Sequence, residues 1–279
     1  LICESGAGQH YSATAAVAAK FNMPLIGVMG EIDIKRVNQN IIKAKHYGAK
    51  LKSVPGSLKE AITFAIKTWT SNPDYAYIIG SCVSSAPFPK IVTFAQSIIG
   101  KEIREQSMAQ EGKIPDMIVG CLGGGSNFAG SIYEFLDEPS VKKIGVEAAE
   151  TAALSNGTPG IMQGMKTYML QSNDGSKSLG GSSLGAGIQY FSVGPMHSYL
   201  KNLKAVDYTF ATDKEILDAY KLIAKTEGIS AALEPMAGAA EVIKRAKGKS
   251  KDYLICLSLC GRGEKDLDTI QEHIGKDFE

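Results

Sequence analysis

Short apolar runs alternate with segments of helical period along the whole chain, and this alternation limits the fold more than any other feature. Runs at 25–29, 51–54, 75–79, 117–121, 144–146, 208–210 and 254–259 are too short for helices and read as strands. Segments at 12–21, 33–47, 57–70, 89–110, 127–136, 214–226, 236–246 and 267–274 read as helices between them. Successive parallel strands need a crossover, so the pattern predicts an α/β fold: mostly parallel sheet, helices on both faces, ligands at the carboxyl ends of the strands. Two helix starts are marked by capping boxes, Ser57 with Glu60 and Thr212 with Glu215. Residues 151–187, rich in Gly, Ser, Asn and Thr without a clear period, read as long irregular structure.

Charge and cysteine usage narrow the function. Lys and Arg number 30 against 29 Asp and Glu, so nothing draws the chain to nucleic acid or an anionic membrane. No apolar run is long enough to span a bilayer. Cys3, Cys82, Cys121, Cys256 and Cys260 lie in apolar stretches without a CxxC pair or a His at metal-ligand spacing. That usage predicts reduced thiols, a cytoplasmic compartment and no zinc. A small-molecule site is the expectation.

Glycine-rich loops mark where that site lies. Strand-like Met117 to Cys121 runs through Gly123-Gly124-Gly125-Ser126-Asn127 into a helix, which aims backbone N–H groups and a helix N-terminus at an anion such as phosphate. The alternative is a tight turn with an ordinary cap. The loop is not GxxxxGK[ST]; Glu147, about twenty positions on, keeps a dinucleotide site as a weak rival. The opening loop, Glu4-Ser5-Gly6-Ala7-Gly8-Gln9-His10, suits a carboxylate. Glu4, at the end of a buried strand, is a candidate for a raised pKa and proton transfer, against the bland reading of a solvated loop residue. His10 reads more as a packing residue at a helix start. A third loop, Cys260-Gly261-Arg262-Gly263, follows the last strand.

In this order, CESGAGQH, LGGGSN, SVGPMH, EGISAALE and CGRGEKD resemble the tryptophan synthase β-chain family, pyridoxal-phosphate (PLP) enzymes of fold type II. The resemblance covers essentially the whole chain. It implies two α/β domains with the site between them, here 1–98 with a mobile communication region in Asp33 to Gly80, and 99–279. It implies replacement of the hydroxyl of L-serine by indole to give L-tryptophan. Gly123, Gly124, Gly125, Ser126 and Asn127 would hold the cofactor phosphate, and Glu234 and Cys260 would stand near its ring. Ser5, Gly6, Ala7, Gly8, Gln9 and His10 would cradle the substrate carboxylate, and Glu4 would be the acid/base group. A monovalent cation site near Gly123, Tyr190 and Ser192, a homodimer and an α-chain partner are further implications.

Departures from the family pattern bear on these roles. Cys260 stands where the family usually has Ser, a weaker donor that preserves neutrality. Gln189 replaces an Asp that contacts the substrate hydroxyl and pairs with an Arg, matched here by Arg36. This loss keeps open a serine/threonine dehydratase activity. The family's cofactor-binding lysine lies in an HKxN motif ahead of the opening loop, and no lysine here sits in such a motif. The expectation is a segment before Leu1 that carries it; a non-catalytic remnant is the alternative.

Overall fold

The computed structural model describes residues 1–278 and divides into two compact units, Leu1–Gly80 and a second beginning at Ser81. The boundary read from the sequence, at residue 98, falls inside the second unit.

The first unit comprises β1 (Ile2–Glu4), α1 (Gln9–Lys20), β2 (Ile26–Gly30), α2 (Glu31–Ile34), α3 (Asn38–His46), β3 (Lys50–Val54) and α4 (Leu58–Thr70). Its strands form a parallel sheet in the order β1-β2-β3, with Cys3 opposite Gly27 and Gly27 opposite Leu51. Gly27 is required because the Tyr11 ring of α1 packs on its Cα. Alanines fill α1 and favour the helix; the capping box of Ser57 and Glu60 starts α4 as expected. The strand expected at 75–79 is reduced to an isolated bridge between Tyr77 and Ile2. Its neighbour β1 is three residues long and offers little edge to pair with.

The second unit runs α5 (Phe88–Gln96), α6 (Ile98–Glu111), β4 (Met117–Cys121), α7 (Ser126–Tyr133), β5 (Lys142–Ala148), α8 (Ala153–Asn156), β6 (Thr158–Met162), β7 (Met165–Met169), α9 (Pro195–Asn202), β8 (Asp207–Ala211), α10 (Asp213–Glu227), α11 (Leu233–Ala246), β9 (Ile255–Leu257) and α12 (Leu267–Ile274). A parallel sheet in the order β8-β5-β4-β9 forms its centre. Every residue of β4 is buried, as a strand covered on both faces requires. One apolar layer joins β4 and β5 to α10, α11 and α12, while Phe128, Ile132 and Phe135 fill the opposite face.

Three local expectations are corrected. The helix read over 89–110 breaks at Ser97, whose hydroxyl donates to the Phe94 carbonyl at 2.8 Å. At that break Gly100 and Gly130 let the segment and α7 approach backbone to backbone; a Cβ at Gly100 would lie 2.8 Å from the Gly130 oxygen. Residues 151–187 contain the antiparallel hairpin β6–β7, turned by Gln163 and Gly164 at φ 46° and 80°. That is the geometry of a two-residue turn favoured by Asn-Gly, which Gln-Gly conceals. Helix α9 was also missed, although Pro195 in its first turn is a start signal.

Candidate functional site

In the first unit, β1 delivers Glu4 at its carboxyl end. The side chain is buried, and its Oε2 has no hydrogen-bond partner among the described residues. Burial raises its pKa to about 7, with the nearby Tyr77 hydroxyl pulling the other way. A carboxyl half-protonated near neutrality with an open oxygen can give or take a proton.

The loop behind it is held by few groups. The Ser5 amide is committed to the Val28 carbonyl at 3.1 Å, and Asn40 Nδ2 donates to the Ala7 carbonyl at 2.7 Å. Gly8 adopts φ +75°, and a Cβ there would lie 2.7 Å from the Asn40 Cβ. Helix α1 begins at Gln9 without a side-chain cap, so its first N–H groups and the positive end of its dipole are open to an anion. His10 is a strut: its Nε2 donates to the Ile78 carbonyl at 2.9 Å, Gly80 packs on its ring, and burial lowers its pKa. Arg36 stands beside Asp33, whose pKa burial raises to about 6 against that opposing charge.

In the second unit, Gly123-Gly124-Gly125 links β4 to α7. Gly123 backs onto the Gly187 carbonyl, Gly124 onto the Ser81 hydroxyl, and Gly125, at φ +97°, onto the His197 ring. His197 Nε2 faces the Gly125 carbonyl at 2.8 Å and Nδ1 faces the Tyr208 hydroxyl at 3.0 Å. A carbonyl only accepts, so Nε2 carries the proton and Nδ1 accepts from Tyr208. Burial pushes the His197 pKa down to about 4, which keeps this tautomer neutral. Gly125 caps α7 without a side-chain bond, leaving the first N–H groups of Ser126 and Asn127 available; the Asn127 Oδ1 is buried without a partner among the described residues.

A charged cluster lies at the start of α11. Glu234 accepts the Gly187 N–H at 2.7 Å and Lys265 Nζ at 2.8 Å. Lys265 also reaches Asp266 at 2.7 Å, and Asp266 accepts the Leu233 N–H at 2.9 Å, capping α11. Cys260 lies 3.4 Å, sulfur to sulfur, from Cys121 at the end of β4. Gln189 Nε2 donates to the Gly181 carbonyl at 3.3 Å. Tyr190 and Ser192 are buried; the Tyr190 hydroxyl donates to Gln163 at 3.2 Å, and the Ser192 hydroxyl has no partner among the described residues.

The dinucleotide alternative is overturned. Glu147 is buried and accepts the Leu154 and Ser155 N–H groups at 2.8 and 2.9 Å, so it caps α8 and cannot serve a ribose.

Comparison with known proteins decides among the remaining chemistries. Residues 1–261 match the profile of the family described as pyridoxal-phosphate dependent enzyme. The chain belongs to that family. It is 44% identical to a tryptophan synthase beta chain of Allorhizobium ampelinum, over 99% of this chain and 70% of that protein. In fold it is similar to a crystal structure of O-ureido-L-serine-bound O-ureido-L-serine synthase K43A, with TM-score 0.72 over 98% of this chain and 75% of that one, at 19% identity.

The residues present suit PLP. The turn from Gly123 to Asn127 offers a phosphate the uncapped N–H groups at the start of α7, in a cradle where none of the three glycines has room for a Cβ. Sequence reading gave no role to Cys121, His197, Lys265 and Asp266, which the structure sets against Cys260, Gly125 and Glu234. His197 stood in the quoted SVGPMH motif and Lys265 and Asp266 in CGRGEKD, a visible signal; Cys121 meets Cys260 only through packing.

Proposed function

We propose that this chain performs the tryptophan synthase β reaction, replacing the hydroxyl of L-serine with indole to form L-tryptophan. The observation that carries this reading is Glu4: a buried carboxyl with an open oxygen and a pKa raised to about 7. Bound PLP withdraws electrons from the substrate α-carbon, so that the α-proton can leave and the β-hydroxyl be expelled.

The protein's own groups do the rest. Gly123, Gly124, Gly125, Ser126 and Asn127 bind the cofactor phosphate through N–H groups at the start of α7. The amides after Ser5, through Gly6, Ala7, Gly8, Gln9 and His10, bind the serine carboxylate. Glu4 in its protonated form donates to the departing hydroxyl, and as the carboxylate it then accepts the proton released from indole. Glu234, fixed by Gly187 N–H and Lys265, lines the ring side, and the Cys260 thiol offers the ring nitrogen a weak neutral donor. Gln189, in place of an acid, meets the serine hydroxyl as a neutral hydrogen-bonding group.

A cytoplasmic homodimer with an α-chain partner completes the proposal. Five free thiols and the relative's identity as a beta chain support it. So do Ile91, Phe94 and Ile98, exposed on α5 and α6 beside an apolar cavity of about 650 Å³ lined also by Tyr133 and Met196. The test is turnover of the full-length protein with serine, with and without indole. Tryptophan formed only in the presence of both, and lost in Glu4→Gln, is expected; pyruvate from serine alone, with no tryptophan, would establish the dehydratase instead.

A further inference from the structure

We propose that Cys121 and Cys260 are a redox pair that closes to a disulfide when a hydroperoxide reaches Cys260. Cys121 ends β4, and Cys260 lies three residues beyond the end of the neighbouring parallel strand β9, whose last pairing sets Val119 against Leu257, with the Ser258 N–H bonded to the Val119 carbonyl at 2.9 Å. Their sulfurs are already 3.4 Å apart. Closing to a bond of about 2.05 Å needs a shift of about 1.4 Å. Cys260 sits in the loop after β9 and precedes Gly261 at φ +81°, so that side has freedom to move while Cys121 stays in the sheet.

The two thiols are chemically unequal. Cys121 is buried, whereas Cys260 is partly accessible beside the exposed Leu259. The two sulfurs share one hydrogen bond that either can donate; the more accessible Cys260 is held below the usual thiol range by the bond to Cys121, and the buried Cys121 well above it. Burial and the Glu234 charge oppose this at Cys260, and Lys265 assists it. Cys260 is therefore the nucleophile and Cys121 the resolving thiol. The Cys260 thiolate attacks the terminal peroxide oxygen, an S–O bond forms, the O–O bond breaks, and an alkoxide leaves, or hydroxide where the oxidant is hydrogen peroxide. The Cys121 sulfur then attacks the sulfenic sulfur, an S–S bond forms, and the S–O oxygen leaves as water with the Cys121 proton. One hydroperoxide is reduced and two thiols are oxidised; a dithiol reductant reverses the step. Cys3, Cys82 and Cys256 have pKa values raised by burial, and no second sulfur faces them among the described residues.

The disulfide draws the Cys260 sulfur away from the ring nitrogen; that consequence rests on the function proposed above, while bond formation does not. The test is to treat the full-length protein with a small excess of hydrogen peroxide, alkylate the remaining thiols and map tryptic peptides without reduction. The expected result is a cross-link of peptide 114–142 to peptide 252–262, assigned by fragmentation to Cys121 and Cys260 and reversed by dithiothreitol. It should persist in Cys256→Ser and vanish in Cys260→Ser. Full alkylation of both cysteines, over-oxidation of Cys260 with Cys121 still alkylated, or a link through Cys256 would overturn the pair. Because the map requires no turnover, it separates failure of this proposal from failure of the synthase reading.

Discussion

His197 Nε2 lies 2.8 Å from the carbonyl oxygen of Gly125, the glycine that turns β4 into α7. The imidazole is neutral, buried and oriented by Tyr208, so it acts as a fixed donor that holds the glycine turn from behind. Replacing it by Ala leaves the Gly125 carbonyl with only the Ala129 N–H and strips the Tyr208 hydroxyl of its acceptor, at a cost of about 1–3 kcal/mol. We expect His197→Ala to weaken PLP binding by about tenfold or more. The effect on tryptophan formation should be offset at saturating PLP, and fluorescence titration with PLP measures it.

Gly125→Ala is expected to remove PLP binding more completely. The residue needs φ +97°, which costs an L-residue about 1–2 kcal/mol, and its methyl would strike the His197 ring. Absorbance of the purified protein in the cofactor band checks this.

Glu4→Gln separates catalysis from stability. Loss of proton transfer should lower kcat by about 10²–10⁴. Stability should move the opposite way at high pH. The folded pKa, about 7, exceeds the model value of 4.5, so between those pH values the folded protein binds the extra proton, and stability falls as pH rises through that window. Above it the penalty is about 3 kcal/mol. Glu4→Gln, which carries no charge, should therefore melt higher than the parent at pH 8 and gain little at pH 4.5. Denaturant melts at both pH values are the measurement.

Lys265→Met would leave Glu234 and Asp266 buried together without their shared cation. Breaking such a pair costs about 3–5 kcal/mol. Asp266 is already raised by burial, then by Glu234, and is restrained by Lys265, so the variant should lose more stability as pH rises. Adding Asp266→Asn should recover part of the loss; urea titrations of the single and double variants read the coupling.

Phe94 is 71% exposed, the most accessible of the large apolar residues around the α5 cavity. If a second copy covers this face, Phe94→Asp should shift sedimentation from dimer to monomer without changing the far-UV spectrum. An unchanged dimer would place the subunit contact elsewhere.

Much of the fold was legible because it is written in local patterns. β4 reads as an unbroken apolar run, and Ser57 with Glu60 and Thr212 with Glu215 form the capping boxes their spacing announces. Patterns failed where tertiary contacts overrode them. Ser97 interrupts a continuous helical period because Gly100 and Gly130 bring backbones together, and the β6–β7 hairpin hides behind a Gln-Gly turn.

The sequence alone determined the α/β class, the glycine turn from Gly123 to Asn127, and the strand-end position of Glu4, because periodicity and glycine spacing are properties of neighbouring residues. Only the tertiary structure decided that His197 braces Gly125, that Glu147 is consumed as a cap, that Lys265 neutralises two carboxylates, and that Cys121 meets Cys260. Those relationships join residues far apart in the chain, and strand pairing and burial set the distances that decide their chemistry.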